Sequence, residues 1–369
     1  MSGIYIHVPF CKQKCTYCDF ASYPDKIGMA EAYFACLFKE MRSRAESLKE
    51  KTFDTVYFGG GTPSFVDPKF ILGCMRLIRE RFNLSDNAEI TLEVNPGTLD
   101  RNKYRIYKEA GINRYSVGLQ SADDKMLRRL NRIHNRYDFL QAADILKGCN
   151  LSVDVMIGLF DQTENDVRES IDLAIMGGAK HISVYSLTPE EGTPMYGNYL
   201  NGDLPDGDRV RELYDYAVKR LAENGFYRYE VSNFAKEGYE SRHNQNYWRR
   251  GEYIGLGVAA SSFINGRRFT NTENIDEYIH CLLQGKYAEI ASDNIEGEDA
   301  EQEFIMLALR TARGIVLKEF AAAFGKDFLK AYAAPIKKVA KYLDVDSESV
   351  KIKDEYLYVQ NGVIVEFFS

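Results

Sequence analysis

Three cysteines within eight residues, Cys11, Cys15 and Cys18 in the stretch HVPFCKQKCTYCDF, are the densest chemistry in the sequence. Gaps of three and two residues put three thiolates in one loop, and a set of thiolates binds a soft metal. A zinc site completed by His7 would have three sulfurs and one nitrogen. Structural zinc sites usually draw ligands from two separated knuckles, and no second knuckle follows here. A redox pair would need only two cysteines. A four-iron, four-sulfur cluster held by three cysteines leaves its fourth iron with an open coordination position, which accounts for the number three. Of seven cysteines, Cys36, Cys74, Cys149 and Cys281 are scattered. The odd total argues against a disulfide framework and for a reducing, cytoplasmic setting, with the scattered four as small buried hydrophobes.

Further polar groups fall at regular intervals after apolar runs. Glycines follow the apolar run in FDTVYFGGGTPS, Glu93 closes AEITLEV, Gln120 closes INRYSVGLQ, and Asp154 lies in LSVDVMIGL. Each run reads as a strand. With Gly3 to Val8 and HISVYSLTP there are six, separated by helical patterns at about 29–48, 68–81, up to 110, segments up to 148, and 164–176. Alternating strands and helices imply parallel strands joined by right-handed crossovers. Because the polar residues gather at carboxyl ends of different strands, the expected fold is α/β, a partial (β/α)6 barrel with its site at that end.

The pattern then changes. A helix over about 208–224 leads to a Tyr-rich extended segment, a loop with HNQNYW, and YIGLGVAASSF. From about Asp299 the chain reads as helical, with two short strand-like runs around 353–355, a small winged-helix-like module within a C-terminal α+β region. The expected division is a core over 1–234, a connecting region over 235–298 and the C-terminal module over 299–369. The 369-residue chain is 45% hydrophobic and 27% charged with net charge −7, so it is globular and has no general affinity for nucleic acid. No apolar run reaches the length of a membrane span, and the start lacks the basic region of a secretory signal.

Cys11-x3-Cys15-x2-Cys18, with Tyr17 before the last cysteine, resembles the signature of the radical S-adenosylmethionine (SAM) superfamily. That resemblance implies a 4Fe-4S cluster whose open iron is chelated by SAM, and reductive cleavage of SAM to methionine and a 5′-deoxyadenosyl radical. GGGTP (59–63) falls where the superfamily has its glycine-rich SAM motif. By similarity to the oxygen-independent coproporphyrinogen III oxidases, Tyr5, Gly60, Gly61, Thr62, Glu93, Gln120, Arg132 and Asp154 match SAM-contacting positions. Carboxylates and an amide suit ribose hydroxyls or an ammonium, and a guanidinium suits a carboxylate. The alternative for Glu93 and Arg132 is a structural ion pair.

Within that group the sequence resembles the haem chaperone subgroup, the HemW family. The oxidases carry a further cysteine where Phe20 stands, and the chaperones carry H-N-x-x-Y-W, matched by His243, Asn244, Tyr247 and Trp248. The resemblance implies haem binding at this motif. An imidazole can ligate haem iron, so His243 is the expected axial ligand, with Tyr247 and Trp248 flat against the ring. It also implies haem-accepting partners, respiratory proteins among them, and leaves a homodimer open. Two departures stand out: Phe160 replaces the usual proline in GLP, and Ser261 stands where the family tends to have a histidine. Three functions are carried forward: haem delivery, oxidative decarboxylation of coproporphyrinogen III, and a zinc-stabilised binding module.

Overall fold

The computed structural model describes residues 1–368. Its first half alternates strand and helix: β1 (Ser2–Val8), α1 (Ala30–Ser47), β2 (Thr52–Gly60), α2 (Pro68–Arg81), β3 (Asn83–Val94), α3 (Arg101–Ala110), β4 (Arg114–Gln120), α4 (Asp124–Arg129), α5 (Arg136–Ile145), β5 (Asn150–Ile157), α6 (Glu164–Met176) and β6 (His181–Ser186). The helices start where capping chemistry starts them. Asp67 accepts from the Lys69 amide ahead of Pro68, Asp100 caps α3, and Thr163 and Asp166 form a reciprocal capping box on α6. Strands β1 to β6 pair in sequential order, all parallel. The sheet is open rather than closed on itself, as a partial barrel requires.

Side chains alternate strictly along these strands. One set, including Ile4, Ile6, Val56, Phe58, Leu92, Val117 and Val153, packs under the helices in the main core. The other set faces the barrel bore and is polar, with Ser116, Ser152, Asp154, His181 and Ser183 lining it.

The chain continues through α7 (Pro194–Leu200), α8 (Gly207–Glu223), β7 (Tyr227–Arg228), β8 (Asn233–Ala235), α9 (Arg242–Trp248), β9 (Glu252–Leu256), β10 (Ser261–Ile264), β11 (Arg267–Asn271), α10 (Ile275–Leu283) and β12 (Glu289–Asn294). Residues 235–298, expected only to connect, supply four strands to the large sheet: β9 lies parallel against the free edge of β1, and β10 to β12 extend it antiparallel. At the other edge β8 runs antiparallel to β6.

The HNQNYW segment is a helix, α9, and not the expected loop. Ser241 caps it through the Asn244 amide, and the Glu89 carboxylate accepts from the amides of Arg242 and His243 at 3.1 and 3.0 Å. Glu89 lies more than 150 residues away in sequence, so no local signal announces this helix start.

The C-terminal part holds α11 (Gly297–Ala308), α12 (Leu317–Phe324) and a small antiparallel sheet of β13 (Ile315–Val316), β14 (Leu343–Val345) and β15 (Ser349–Ile352). It has a core of its own around Leu309, Phe320, Phe328 and Val350. The strands end before 353–355, where strand-like runs were expected; that stretch forms helical turns. Among the described residues, no helix is long and apolar enough to cross a membrane.

Candidate functional site

A cavity of about 510 Å³ opens at the carboxyl ends of the parallel strands and runs down the bore. Cys11, Cys15 and Cys18 line its mouth, and Gly60, Gly61, Thr62, Glu93, Gln120, Arg132 and Asp154 line its walls. Residues spread over more than 140 positions therefore converge, because they lie on or follow five neighbouring strands of one parallel sheet.

The cysteine loop leaves β1 and is held from the side by the turn after β2. The amides of Gly61 and Thr62 donate to the carbonyls of Val8 and Phe10, both at 2.9 Å. This contact dictates the glycines. A Cβ on Gly61 would sit 2.9 Å from the Phe10 carbonyl and 3.0 Å from Cys11 Sγ. Gly60, at φ +111°, would drive one to 2.7 Å from the His7 ring. Burial pushes the Cys11 and Cys18 thiols up, with the Thr62 hydroxyl opposing it at Cys11. The Arg132 guanidinium lies 3.4 Å from Cys15 Sγ, a cation placed where thiolates would carry negative charge. His7 is not with the thiols: its Nε2 meets the Ala21 carbonyl at 2.8 Å and its Nδ1 the Tyr5 hydroxyl at 3.0 Å. That geometry weighs against the three-sulfur, one-nitrogen zinc arrangement.

The walls carry unmet polar demand. Glu93 accepts from Tyr57 at 2.8 Å, and burial together with the charge of Asp154 pushes its carboxyl up to about 7. Burial also raises the Asp154 carboxyl, against hydrogen bonding by Ser183 and Ser116. Arg132 donates to the Gly118 carbonyl at 2.9 Å while its Nε is buried without a partner among the described residues. Glu93 and Arg132 do not pair with each other, so the structural ion pair is not formed. Gln120 is held at φ +68° where β4 ends in a bulge, a conformation that costs energy for a non-glycine residue and concentrates at functional sites. Two buried carboxylates, an orphaned guanidinium nitrogen and an amide suit a ligand bearing an ammonium, hydroxyls and a carboxylate, which is what SAM offers.

Tyr5 stands apart from the other expected SAM positions. It stacks on Tyr57 and lines a neighbouring cavity of about 600 Å³, which shares Gly60 and Glu93 with the first.

The HNxxYW residues do not converge. His243 is 1% exposed, with Nδ1 2.7 Å from the Thr55 hydroxyl and Nε2 2.8 Å from the Tyr247 hydroxyl. Burial holds this imidazole neutral, down to about 3. Neither ring nitrogen is open to an iron. Tyr247 lines the 600 Å³ cavity beside Tyr253, Phe263, Arg250 and Arg268, whereas Trp248 lines a different cavity of about 340 Å³ against the C-terminal part. The two rings thus do not flank one macrocycle. Ser261 and Phe20 also line the 600 Å³ cavity, and Phe20 is 64% exposed there. Phe160 is buried with the Arg129 guanidinium over its ring. We expect His243→Ala to cost about 1–3 kcal/mol, because the buried Thr55 hydroxyl and the part-buried Tyr247 hydroxyl lose their partner. On titration with haemin the Soret maximum of His243→Ala should match that of wild type, and a different maximum would restore His243 as a ligand.

The sequence reading missed Arg114 and His181 in the bore and placed Asn244, which also lines it, only in the haem motif. For the two strand residues a signal existed: Arg114 is in phase with Ser116 and Gln120 along β4, and His181 with Ser183 along β6.

A parallel α/β half-barrel with a three-cysteine loop at its mouth defines a radical SAM protein, and the radical SAM superfamily model matches residues 5–174. A second model, the HemN C-terminal domain, matches residues 295–359. The chain is similar to the "Heme chaperone HemW" of Bacillus subtilis (33% identical, covering 95% of this chain and 94% of that one) and of Escherichia coli (35%, 88% and 86%). It belongs to the HemW heme chaperone family. Its fold superposes on that of coproporphyrinogen III oxidase (HemN) from Escherichia coli with a TM-score of 0.86 at 19% identity, covering 99% of this chain and 89% of that one.

Proposed function

We propose that this protein is a haem chaperone that holds a 4Fe-4S cluster through Cys11, Cys15 and Cys18, binds SAM in the adjoining bore, and passes haem to acceptor haemoproteins. The observation that carries the reading is the convergence of the three thiols with Glu93, Gln120, Arg132 and Asp154 on one cavity. The cluster, when bound, supplies an electron and an iron with an open position. The protein's own part is to orient. Arg132 offsets thiolate charge, Asp154 and Gln120 accept and donate to SAM's polar edges, and the glycine turn lets backbone lie close to it. Haem is proposed to take the 600 Å³ cavity, where Tyr247, Tyr253, Phe263 and exposed Phe20 present aromatic faces. Respiratory proteins are the proposed acceptors and the cytoplasm the proposed setting.

The test is SAM binding to the reduced cluster, followed by electron paramagnetic resonance. SAM should perturb the wild-type spectrum. Asp154→Ala and Gln120→Ala should each weaken SAM by about 1–3 kcal/mol, the cost of unpaired buried partners, with iron content unchanged. A wild-type spectrum indifferent to SAM would sink the assignment. Turnover of coproporphyrinogen III under anoxia, without haem binding, would replace chaperone by oxidase.

A further inference from the structure

The 600 Å³ cavity continues the bore-side face of the large sheet past β1. Tyr253 of β9 pairs with Gly3 of β1 on one side and with Phe263 of β10 on the other, and Phe263 pairs with Arg268 of β11. Residues directly opposite one another on neighbouring strands share a face, so Tyr253, Phe263 and Arg268 form one row across the sheet. Arg250 joins the row from the turn after α9. Its guanidinium lies 4.7 Å from the centre of the Phe263 ring, and that of Arg268 lies 5.0 Å from it. Arg250 has φ +54° just past the C-cap of α9, where glycine costs less, so this side chain is kept at a backbone cost.

The two guanidiniums share one carboxylate. Glu303 of α11 meets Arg250 at 2.7 Å and Arg268 at 2.5 Å, and its side chain is 12% exposed. Arg250 also donates to the neutral Ile295 carbonyl at 3.0 Å. Two cations and one anion leave this end of the cavity with a positive charge in excess. The other acids that line it lie toward the cysteine loop. Glu93 stands beside Gly59, which pairs with His7, four residues along β1 from Gly3 and so roughly 13 Å away. Asp19 follows Cys18 directly, and the Glu273 carbonyl accepts from Tyr23 just beyond that loop. The cavity thus has an aromatic floor, a cationic end and an acidic end. Such a site orients a flat apolar molecule that carries carboxylates on one edge.

We propose that Arg250 and Arg268 bind the propionate carboxylates of haem, with the propionate edge toward α11 and the opposite, apolar edge toward the cysteine loop. This rests on the reading that haem takes this cavity. A guanidinium takes a carboxylate in bidentate fashion, and the adjoining Tyr253 and Phe263 rings suit the macrocycle. Glu303 holds the two guanidiniums in place and competes with the ligand for their donors.

The test is titration of the full-length protein with haemin and with haemin dimethyl ester, which keeps the ring and the iron but lacks the two carboxylate charges. Wild type should bind haemin about tenfold or more tighter than the ester, the size of one charge-assisted hydrogen bond. Arg268→Met and Arg250→Met should each weaken haemin by about tenfold and leave the ester unchanged. Arg268→Lys should keep part of the difference. Glu303→Gln removes the competing charge and should tighten haemin without tightening the ester. That variant also decides the matter should a methionine variant fold poorly, because arginines that only clamp α11 to the sheet would gain no affinity from it. Haemin binding that is unchanged or weakened in Glu303→Gln would overturn the proposal. So would a wild type that binds haemin and its ester equally, or arginine variants that weaken both alike; either result leaves haem binding itself standing. A wild type that binds neither ligand would overturn the haem reading and the propionate site together.

Discussion

Cys15→Ala is expected to leave the protein without a stable cluster after anaerobic reconstitution, where wild type should hold about four irons and matching acid-labile sulfide per chain. Cys11→Ala and Cys18→Ala should do the same. The effect is all or nothing because the loop supplies only three thiols, and two thiolates leave half of the irons without a protein ligand. Nothing nearby can substitute. His7 is committed to Tyr5 and the Ala21 carbonyl, and Phe20 stands where a further sulfur would have to be. Cys36→Ala and Cys149→Ala are the controls. Cys36 is buried in α1, and Cys149 precedes β5 with its sulfur 3.4 Å from the Tyr104 hydroxyl, so both should reconstitute as wild type does. Full iron content in Cys15→Ala would falsify the cluster assignment.

The second large effect is on stability. Glu40 is wholly buried in α1 and accepts from the Gly257 amide, the Tyr278 hydroxyl and Asn271 Nδ2, each at 2.8 Å. Burial raises its carboxyl, and those three donors oppose the rise. One side chain thus ties α1 to the turn after β9, the end of β11, and α10. Because β9 runs along the free edge of β1, the same link steadies the strand from which the cysteine loop leaves. Glu40→Ala strands three buried donors at once, and the loss should reach about 3–5 kcal/mol in denaturant unfolding. Glu40→Gln keeps the shape and an acceptor oxygen and should cost less. A Glu40→Ala protein within about 1 kcal/mol of wild type would show that the network is not cooperative.

The order of strands and helices in the first half was legible in the sequence because its causes are local. Apolar runs of strand length, glycine turns and side-chain caps such as Asp67 and Thr163 act over a few residues, and sequential parallel pairing follows from the crossover rule. The thiol loop was legible for the same reason: three ligands within eight residues need no distant partner to be recognised. Glu93, Gln120 and Asp154 were found from their places near the carboxyl ends of strands, which a parallel sheet gathers at one mouth. The structure of the HNQNYW motif was not legible locally. HNQNYW has no helical apolar period, and its helix begins where Glu89 of a distant strand pairs its amides. That docking buries His243 between Thr55 and Tyr247 and turns Tyr247 and Trp248 toward separate cavities. Arg114 carried a readable phase along β4, but only the tertiary structure decided that its charge acts on Glu93 and Asp154 across the bore. Sequence spacing sets which residues share a face, whereas the presence or absence of a partner across a bore depends on chain segments that meet only after folding.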